Sequence, residues 1–475
     1  MDMKKHFFIG WFLLSSLAVV AKVSFPSVIA DNMVLQQKST VKLWGKSVPG
    51  SEVSIIPSWG QKIYKAKADH SGSWLTTVDT PSAGGPYEIV FDDGEKTVLG
   101  NILIGEVWLC AGQSNMEMPL CGFGGQPVED GNDCIARAKK SVPIRMFTTA
   151  NKHSRIPQDD CEGTWSEHTS EAVAKCSATA YFFGRYLQEI LEVPVGLIVS
   201  SWGGSKIEAW MSRSSLAAFP EFDLDFLKDN RAVKTPVHHT PCNLYHAKLY
   251  PLLNYTIKGA IWYQGESNRN NPALYERLFP AFVKDLRDSF GQGDFPFYYV
   301  QIAPFAYENP DMTAGAAIRE AQLKGCSTIP NSGMVVTLDI GESNCIHPAR
   351  KKEVGERLAY WALARAYDKK GIGYEGPVYS SMTVEGGKAL LTFKNVSAKG
   401  VGPLGKNLEG FEVAGNDRKF HPASAYVDAR LGKVVVSCSE VVQPIAVRYA
   451  YKNYAEASLF NEWGLPASSF RTDDW

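Results

Sequence analysis

The chain has 475 residues, 45% hydrophobic and 21% charged, which is enough to bury more than one core and to divide into two or three domains. A formal net charge of -1 with no basic run excludes nucleic acid or an anionic membrane surface as the main partner. A small or neutral substrate suits that balance.

In chain order, residues 1–21 read as an export signal: Lys4 and Lys5 precede the apolar stretch Phe7 to Val20, and Ala21 is a small residue ahead of a cut. That stretch is short for a membrane span and nothing after it resembles one, so the mature protein is expected to be periplasmic or secreted, with no membrane contact. Export permits disulfides among Cys110, Cys121, Cys134, Cys161, Cys176, Cys242, Cys326, Cys345 and Cys438, and the odd number leaves at least one unpaired. No CxxC pair and no Cys/His cluster with zinc spacing appears, so neither metal nor cofactor is expected.

Residues 22–99 carry short alternating runs (Val41 to Trp44, Glu52 to Ile56, Tyr87 to Phe91) separated by Pro49-Gly50, Ser71-Gly72 and Gly84-Gly85, the rhythm of an antiparallel β-sandwich. From 100 to 370 the rhythm changes. Strand-length apolar runs at Val107 to Ala111, Val195 to Ser200, Ile257 to Tyr263, Phe297 to Ile302 and Met334 to Leu338 have helical patterns between several of them, such as Leu274, Leu278, Phe282 and Leu286. Alternation of this kind predicts an α/β domain, a parallel sheet covered by helices on both faces. Residues 371–475 return to β runs, at Ala389 to Phe393, Lys433 to Ser437 and Ile445 to Tyr449.

The chemistry-bearing residues of the middle domain share an address. Ser114 follows the first of these strands, Trp202-Gly203-Gly204-Ser205 the second, Gln264-Gly265-Glu266-Ser267-Asn268 the third, and Asp339 to His347 the last. Open parallel sheets bind ligands beyond the carboxyl ends of their strands, so these residues are expected to converge. Each suits acyl transfer. Ser114 on a strand-to-helix turn offers a hydroxyl and a backbone N–H, and His347 on a loop can serve as its base. The glycine pair lets backbone approach a ligand, Gln264 or Asn268 can donate an amide N–H to an oxyanion, and Glu266 can support either. A metal-dependent deacetylase would show ligand spacing such as HExxH, and an α/β-hydrolase lipase GxSxG; both are absent. A non-catalytic carbohydrate-binding protein would account for the flanking β-domains but not for Ser114 and His347 at one edge.

The phrases AGQSNMEMPL, SWGGSKIEAWMS, IKGAIWYQGESN and IHPARKKEVGERLA resemble the serine, glycine, Gln-Gly-Glu and histidine blocks of the sialate O-acetylesterase family of SGNH hydrolases, and DNMVLQ at Asp31 to Gln36 and LPASSFRTD at Leu465 to Asp473 extend the likeness to both ends. The resemblance implies a flavodoxin-like hydrolase domain flanked by β-domains, and removal of O-acetyl groups from carbohydrate: acetylated sialic acid first, acetylated xylan or other sugars as the alternative. It implies Ser114 as nucleophile, His347 as base, and an oxyanion hole of Ser114 N–H, an N–H of Gly203 or Gly204, and the Gln264 side chain. The family's aspartate two or three positions before the histidine is missing, because Asn344 and Cys345 stand there. An orienting acid would then come from Glu342 or Asp339, or a backbone carbonyl would hold the imidazole in a Ser-His pair.

Overall fold

The computed structural model describes residues 22–229, 232–396, 401–402 and 407–475; the expected export signal, 1–21, lies outside them. The architecture is mixed α/β, one large mixed sheet with several antiparallel sheets beside it. Its backbone is the strand Lys96–Gly112, 17 residues long. Its first part pairs antiparallel with Gly84–Asp92, and its last part pairs parallel with Val195–Ser201 and Gly259–Tyr263. The expected boundary between residues 99 and 100 thus falls inside a single strand, which gives the N-terminal β region and the α/β region one continuous ladder.

Across the parallel part the strands run Ser332–Val335, Phe297–Val300, Gly259–Tyr263, Lys96–Gly112, Val195–Ser201 and Ile144–Thr148, and the short Trp165–Glu167 closes the edge antiparallel. Lys96–Gly112 is first in the chain yet lies inside the sheet. The chain leaves it toward Val195–Ser201 on one side and then crosses to Gly259–Tyr263 on the other. Reversal of that kind opens a crevice at the carboxyl end of the central strand.

Side-chain alternation assigns the two faces. Trp108 and Cys110 pack with Phe183, Leu187, Leu358 and Trp361 of the helices Ala178–Leu191 and Lys351–Arg365. Leu109 and Ala111 point the other way, into a core with Phe279, Phe282 and Ile318 of the helices Pro272–Phe290 and Ala314–Thr328. A strand buried on both faces reads as a continuous apolar run, which is why Val107 to Ala111 shows no polar alternation.

The C-terminal β region has its own core, including Leu391, Val413, Val436 and Tyr449. It is fastened to the α/β region by fully buried Arg319, whose guanidinium donates to Ser469 Oγ at 3.0 Å and to the carbonyls of Ala450, Lys452 and Asn453. All nine cysteines are free, several of them buried in separate parts of the core. No helix among the described residues is long and apolar enough to cross a membrane.

Candidate active site

The serine turn is built from backbone chemistry. Lys96–Gly112 ends on Gly112 at φ +146°, where a Cβ would lie 2.1 Å from Tyr263 O, so glycine alone lets the central strand close on its neighbour. Gln113 N–H donates to Tyr263 O at 2.9 Å, its Oε1 accepts Gly265 N–H at 3.1 Å, and Trp202 N–H donates to Gly112 O at 3.1 Å. Three strand tips are thereby stitched together around Ser114, the first residue of the helix Ser114–Glu117. Ser114 N–H and Oγ have no hydrogen-bond partner among the described residues, so both are unspent.

His347 arrives from the other end of the sequence and is hung on the residue after the serine. Buried Asn115 donates through Nδ2 to Ile346 O at 3.1 Å and to Glu266 Oε1 at 2.7 Å, and its Oδ1 accepts Lys351 Nζ at 2.8 Å. Lys351 Nζ also donates to Pro348 O at 2.7 Å, so the carbonyls on both sides of His347 are tied to one buried network. Burial pushes the Glu266 carboxyl up and the Lys351 ammonium down to about 7.

The His347 ring lies edge-on to Phe123 at 5.3 Å, with Nδ1 2.7 Å from Gln126 Oε1. An amide oxygen only accepts, so this contact places the proton on Nδ1 and leaves the Nε2 lone pair to take a proton from a substrate-facing hydroxyl. Burial, then the nearby Lys351 cation, push the imidazole down to about 4. Ser114 Oγ and His347 make no hydrogen bond to each other among the described residues, as is common before substrate binds.

The expected carboxylates are elsewhere. Glu342 Oε1 accepts Ala349 N–H at 2.8 Å, and its segment folds back in a bridge with Cys345, so it braces the loop rather than the ring. Asp339 is held by a two-pronged ion pair with Arg357, at 2.8 and 2.6 Å. The position beside Nδ1 is taken by Gln126, 221 residues earlier in the chain. Nothing in the sequence signals this: Gln126 lies in a glycine-rich loop with no motif of its own.

The donors also sort themselves. Gln264 is fully buried and spends both amide N–H groups, on Ser205 O at 3.1 Å and Asn268 Oδ1 at 2.8 Å, so it has none left for an oxyanion. Asn268 is half-buried and its Nδ2 makes one bond, to Glu208 Oε2 at 2.9 Å, which leaves an N–H. Gly203 N–H is bound by Glu117 Oε2 at 2.5 Å. Gly204, at φ +71°, has an unpartnered N–H among the described residues, while its carbonyl accepts His239 Nε2 at 2.9 Å and Ser267 Oγ at 2.7 Å. Ser114 N–H, Gly204 N–H and the free Asn268 N–H are therefore the available donors.

This arrangement can receive and stabilise a negative oxygen next to a hydroxyl and a neutral imidazole. The family model described as carbohydrate esterase, sialic acid-specific acetylesterase, matches residues 104–364. The chain belongs to that family. It is 31% identical to a sialate O-acetylesterase of Homo sapiens over 94% of this chain and 92% of that one, and 30% identical to one of Mus musculus over 79% and 81%. The crystal structure of a carbohydrate acetylesterase from Xanthomonas citri superposes with a TM-score of 0.86 at 34% identity, covering 96% of this chain and all of that one. Membership in a carbohydrate esterase family makes the chemistry carboxylic ester hydrolysis and its substrate an acetylated carbohydrate. The matched residues 104–364 contain the serine turn, the glycine pair, the Gln264–Asn268 loop and His347. Among the described residues no group of three or more His, Cys, Asp or Glu side chains could hold a metal ion.

Proposed function

We propose that the protein is a serine esterase of flavodoxin-like SGNH fold that removes O-acetyl groups from sugars, acetylated sialic acid foremost, after export directed by residues 1–21. The observation that carries the serine mechanism is the bond from Asn115, next to Ser114, to the carbonyl of Ile346, next to His347, at the reversal point of the sheet. Without the serine, a neutral imidazole and unspent donors at one crevice would have no common use. The fold assignment is supported by the strand order around Lys96–Gly112, with Ile144–Thr148 and Trp165–Glu167 as an added edge.

Ser114 Oγ attacks the acetyl carbonyl carbon as its proton passes to His347 Nε2. The C=O electron pair moves onto oxygen, which Ser114 N–H, Gly204 N–H and Asn268 Nδ2 meet. Collapse of the tetrahedral species breaks the bond to the sugar oxygen, which takes the proton from Nε2 and leaves as an alcohol. Water then attacks the acetyl-serine as its proton passes to Nε2, and collapse breaks the bond to Ser114 Oγ, which takes that proton back as acetate departs. Gln126 fixes the tautomer without supplying a charge, so the site runs as a Ser-His dyad with an amide orienter.

The test measures acetate released from O-acetylated sialic acid, acetylated xylan and acetylated monosaccharides, together with mass-spectrometric mapping of a fluorophosphonate adduct. Preference for the sialate and an adduct on Ser114 are expected. Absence of any adduct on Ser114 would overturn the nucleophile, and preference for xylan would overturn the sugar.

A further inference from the structure

One charged side chain beside the nucleophile has no part in the proton transfers above. Glu117 lies three residues after Ser114 on the same short helix, a spacing that puts both on one face. Its carboxylate points inward to the glycine turn. Oε2 accepts Gly203 N–H at 2.5 Å, and Oε1 accepts Asn151 Nδ2 at 2.7 Å. Asn151 Oδ1 in turn accepts Nζ of fully buried Lys248 at 2.9 Å, and that ammonium also donates to Ala150 O at 2.9 Å and Thr149 O at 3.3 Å. A Cβ on Gly203 would stand 2.8 Å from Glu117 Oε2 and 3.5 Å from Ser114 Cβ, so carboxylate, glycine and nucleophile share one small volume.

This geometry has an unusual balance. A carboxylate close to a developing oxyanion repels it, so on charge alone Glu117 is misplaced. Its value must lie in what it holds. By taking Gly203 N–H, the carboxylate removes one of two adjacent amides from competition and fixes the peptide plane between Trp202 and Gly203, the one before the plane that carries Gly204 N–H. The other amide, Gly204 N–H, stays unpartnered while its own carbonyl is pinned from behind by Ser267 and His239. The Gly203-Gly204 turn is thus clamped at the amide before and the carbonyl after the one donor left free. Charge-assisted bonds to backbone N–H are the strong kind, which suits a flexible glycine pair that must present one N–H at a fixed angle.

We infer that Glu117 is a positioning residue: its carboxylate, backed by Asn151 and Lys248, clamps Gly203 N–H so that Gly204 N–H, and not Gly203 N–H, faces the ester oxygen. The inference rests on the serine mechanism proposed above. What acts on Gly203 is one acceptor oxygen, and a glutamine Oε1 can take the same N–H while giving up the bond from Asn151 Nδ2.

The experiment compares Glu117→Gln and Glu117→Ala in the full-length protein, reading kcat and KM on an acetyl ester and the rate of Ser114 phosphonylation, a reaction that also builds charge at the hole. Glu117→Ala is expected to lower kcat and the phosphonylation rate by about 10- to 100-fold with KM changed less than about threefold, as loss of one oriented donor does. Glu117→Gln, which keeps an acceptor for Gly203 N–H but not for Asn151 Nδ2, is expected to recover part of both rates. Equal loss in the two variants, or a wild-type rate in Glu117→Ala, overturns the clamp, as does a loss confined to KM. Thermal unfolding of Glu117→Ala serves as the control, since a folded variant with slow phosphonylation cannot be explained by instability. If wild type itself is not labelled at Ser114, the serine mechanism fails first, and that outcome is distinct from a labelled wild type with unaffected variants.

Discussion

The serine turn and the histidine loop are two halves of one site, yet they are held by different means. Around Ser114 the strand tips are fastened first by backbone bonds, Gln113 N–H to Tyr263 O and Trp202 N–H to Gly112 O, to which the side chain of Gln113 adds one on Gly265 N–H, on a sheet buried on both faces. Around His347 the fastenings are side chains: Asn115 and Lys351 on the flanking carbonyls, Gln126 on the ring, Glu342 on the loop behind it. Geometry that follows from sheet closure leaves a local trace in sequence, whereas geometry made by side chains from distant segments leaves none.

The most drastic way to break the comparison is at the serine. Ser114→Ala removes the attacking oxygen and almost no volume, so acetate release should fall by at least about 10⁴-fold while the melting temperature stays within a few degrees. A variant that kept about a tenth of wild-type turnover would assign the chemistry elsewhere.

Next comes the joint between the halves. Asn115→Ala leaves Glu266 Oε1 and the Lys351 ammonium buried without their shared partner and frees Ile346 O. Removing one member of a buried polar network costs roughly 3 kcal/mol, so urea unfolding should show a loss of that order, with turnover reduced by about 10²-fold or more as His347 loses its registration. An Asn115→Ala protein that kept wild-type turnover would mean the histidine loop is positioned without the serine turn.

These expectations show where sequence reading succeeded and stopped. The alternation of apolar runs and helical patterns located the strands, because a two-face-buried strand must be apolar throughout. It also puts Ser114, the Gly203-Gly204 pair, the loop from Gln264 to Asn268 and His347 beyond strand ends, since strand ends set that address. What it lacked was any account of competition. Gln264 looked like a donor, but its two N–H groups are consumed inside the loop it belongs to. No carboxylate close to His347 in sequence meets the ring, whose partner, Gln126, sits in the loop that follows the serine helix. The strand Lys96–Gly112 runs through residues 99 and 100 for a related reason: a change of rhythm marks a change of environment along a strand as readily as a break between domains.

The histidine's partner allows a finer test. Gln126→Ala removes the acceptor on Nδ1 and should lower kcat by about 10- to 100-fold through loss of the tautomer. A pH profile sharpens it further. His347 must be neutral to accept the serine proton, and burial with the Lys351 cation holds its pKa at about 4, so kcat/KM in wild type should fall only as pH drops through about 4. The same shift sets the sign for stability: the unfolded chain binds the proton at an ordinary imidazole pKa and the folded one does not, so this group lowers stability as pH falls from 6.5 toward 4. Gln126→Glu places a carboxylate against the ring and should move the acid limb of the profile upward. An unmoved limb would show that the titration belongs to another group.

The smallest effect is expected where the sequence placed the acid. Glu342 touches the site only through Ala349 N–H, a bond that a glutamine oxygen can keep. Glu342→Gln should therefore change turnover by less than about threefold and leave the acid limb near 4, because the group that sets the ring, Gln126, and the cation that lowers its pKa, Lys351, are both untouched. A true triad acid behaves otherwise: replacing it by its amide leaves geometry intact yet costs about 10⁴-fold by fixing the wrong tautomer. The two outcomes are separated by more than three orders of magnitude, so steady-state turnover of Glu342→Gln beside Gln126→Ala decides which residue orients the base. A collapse in Glu342→Gln with a silent Gln126→Ala would require the histidine loop to rearrange when substrate binds, bringing the carboxylate from the backbone it now braces to the ring.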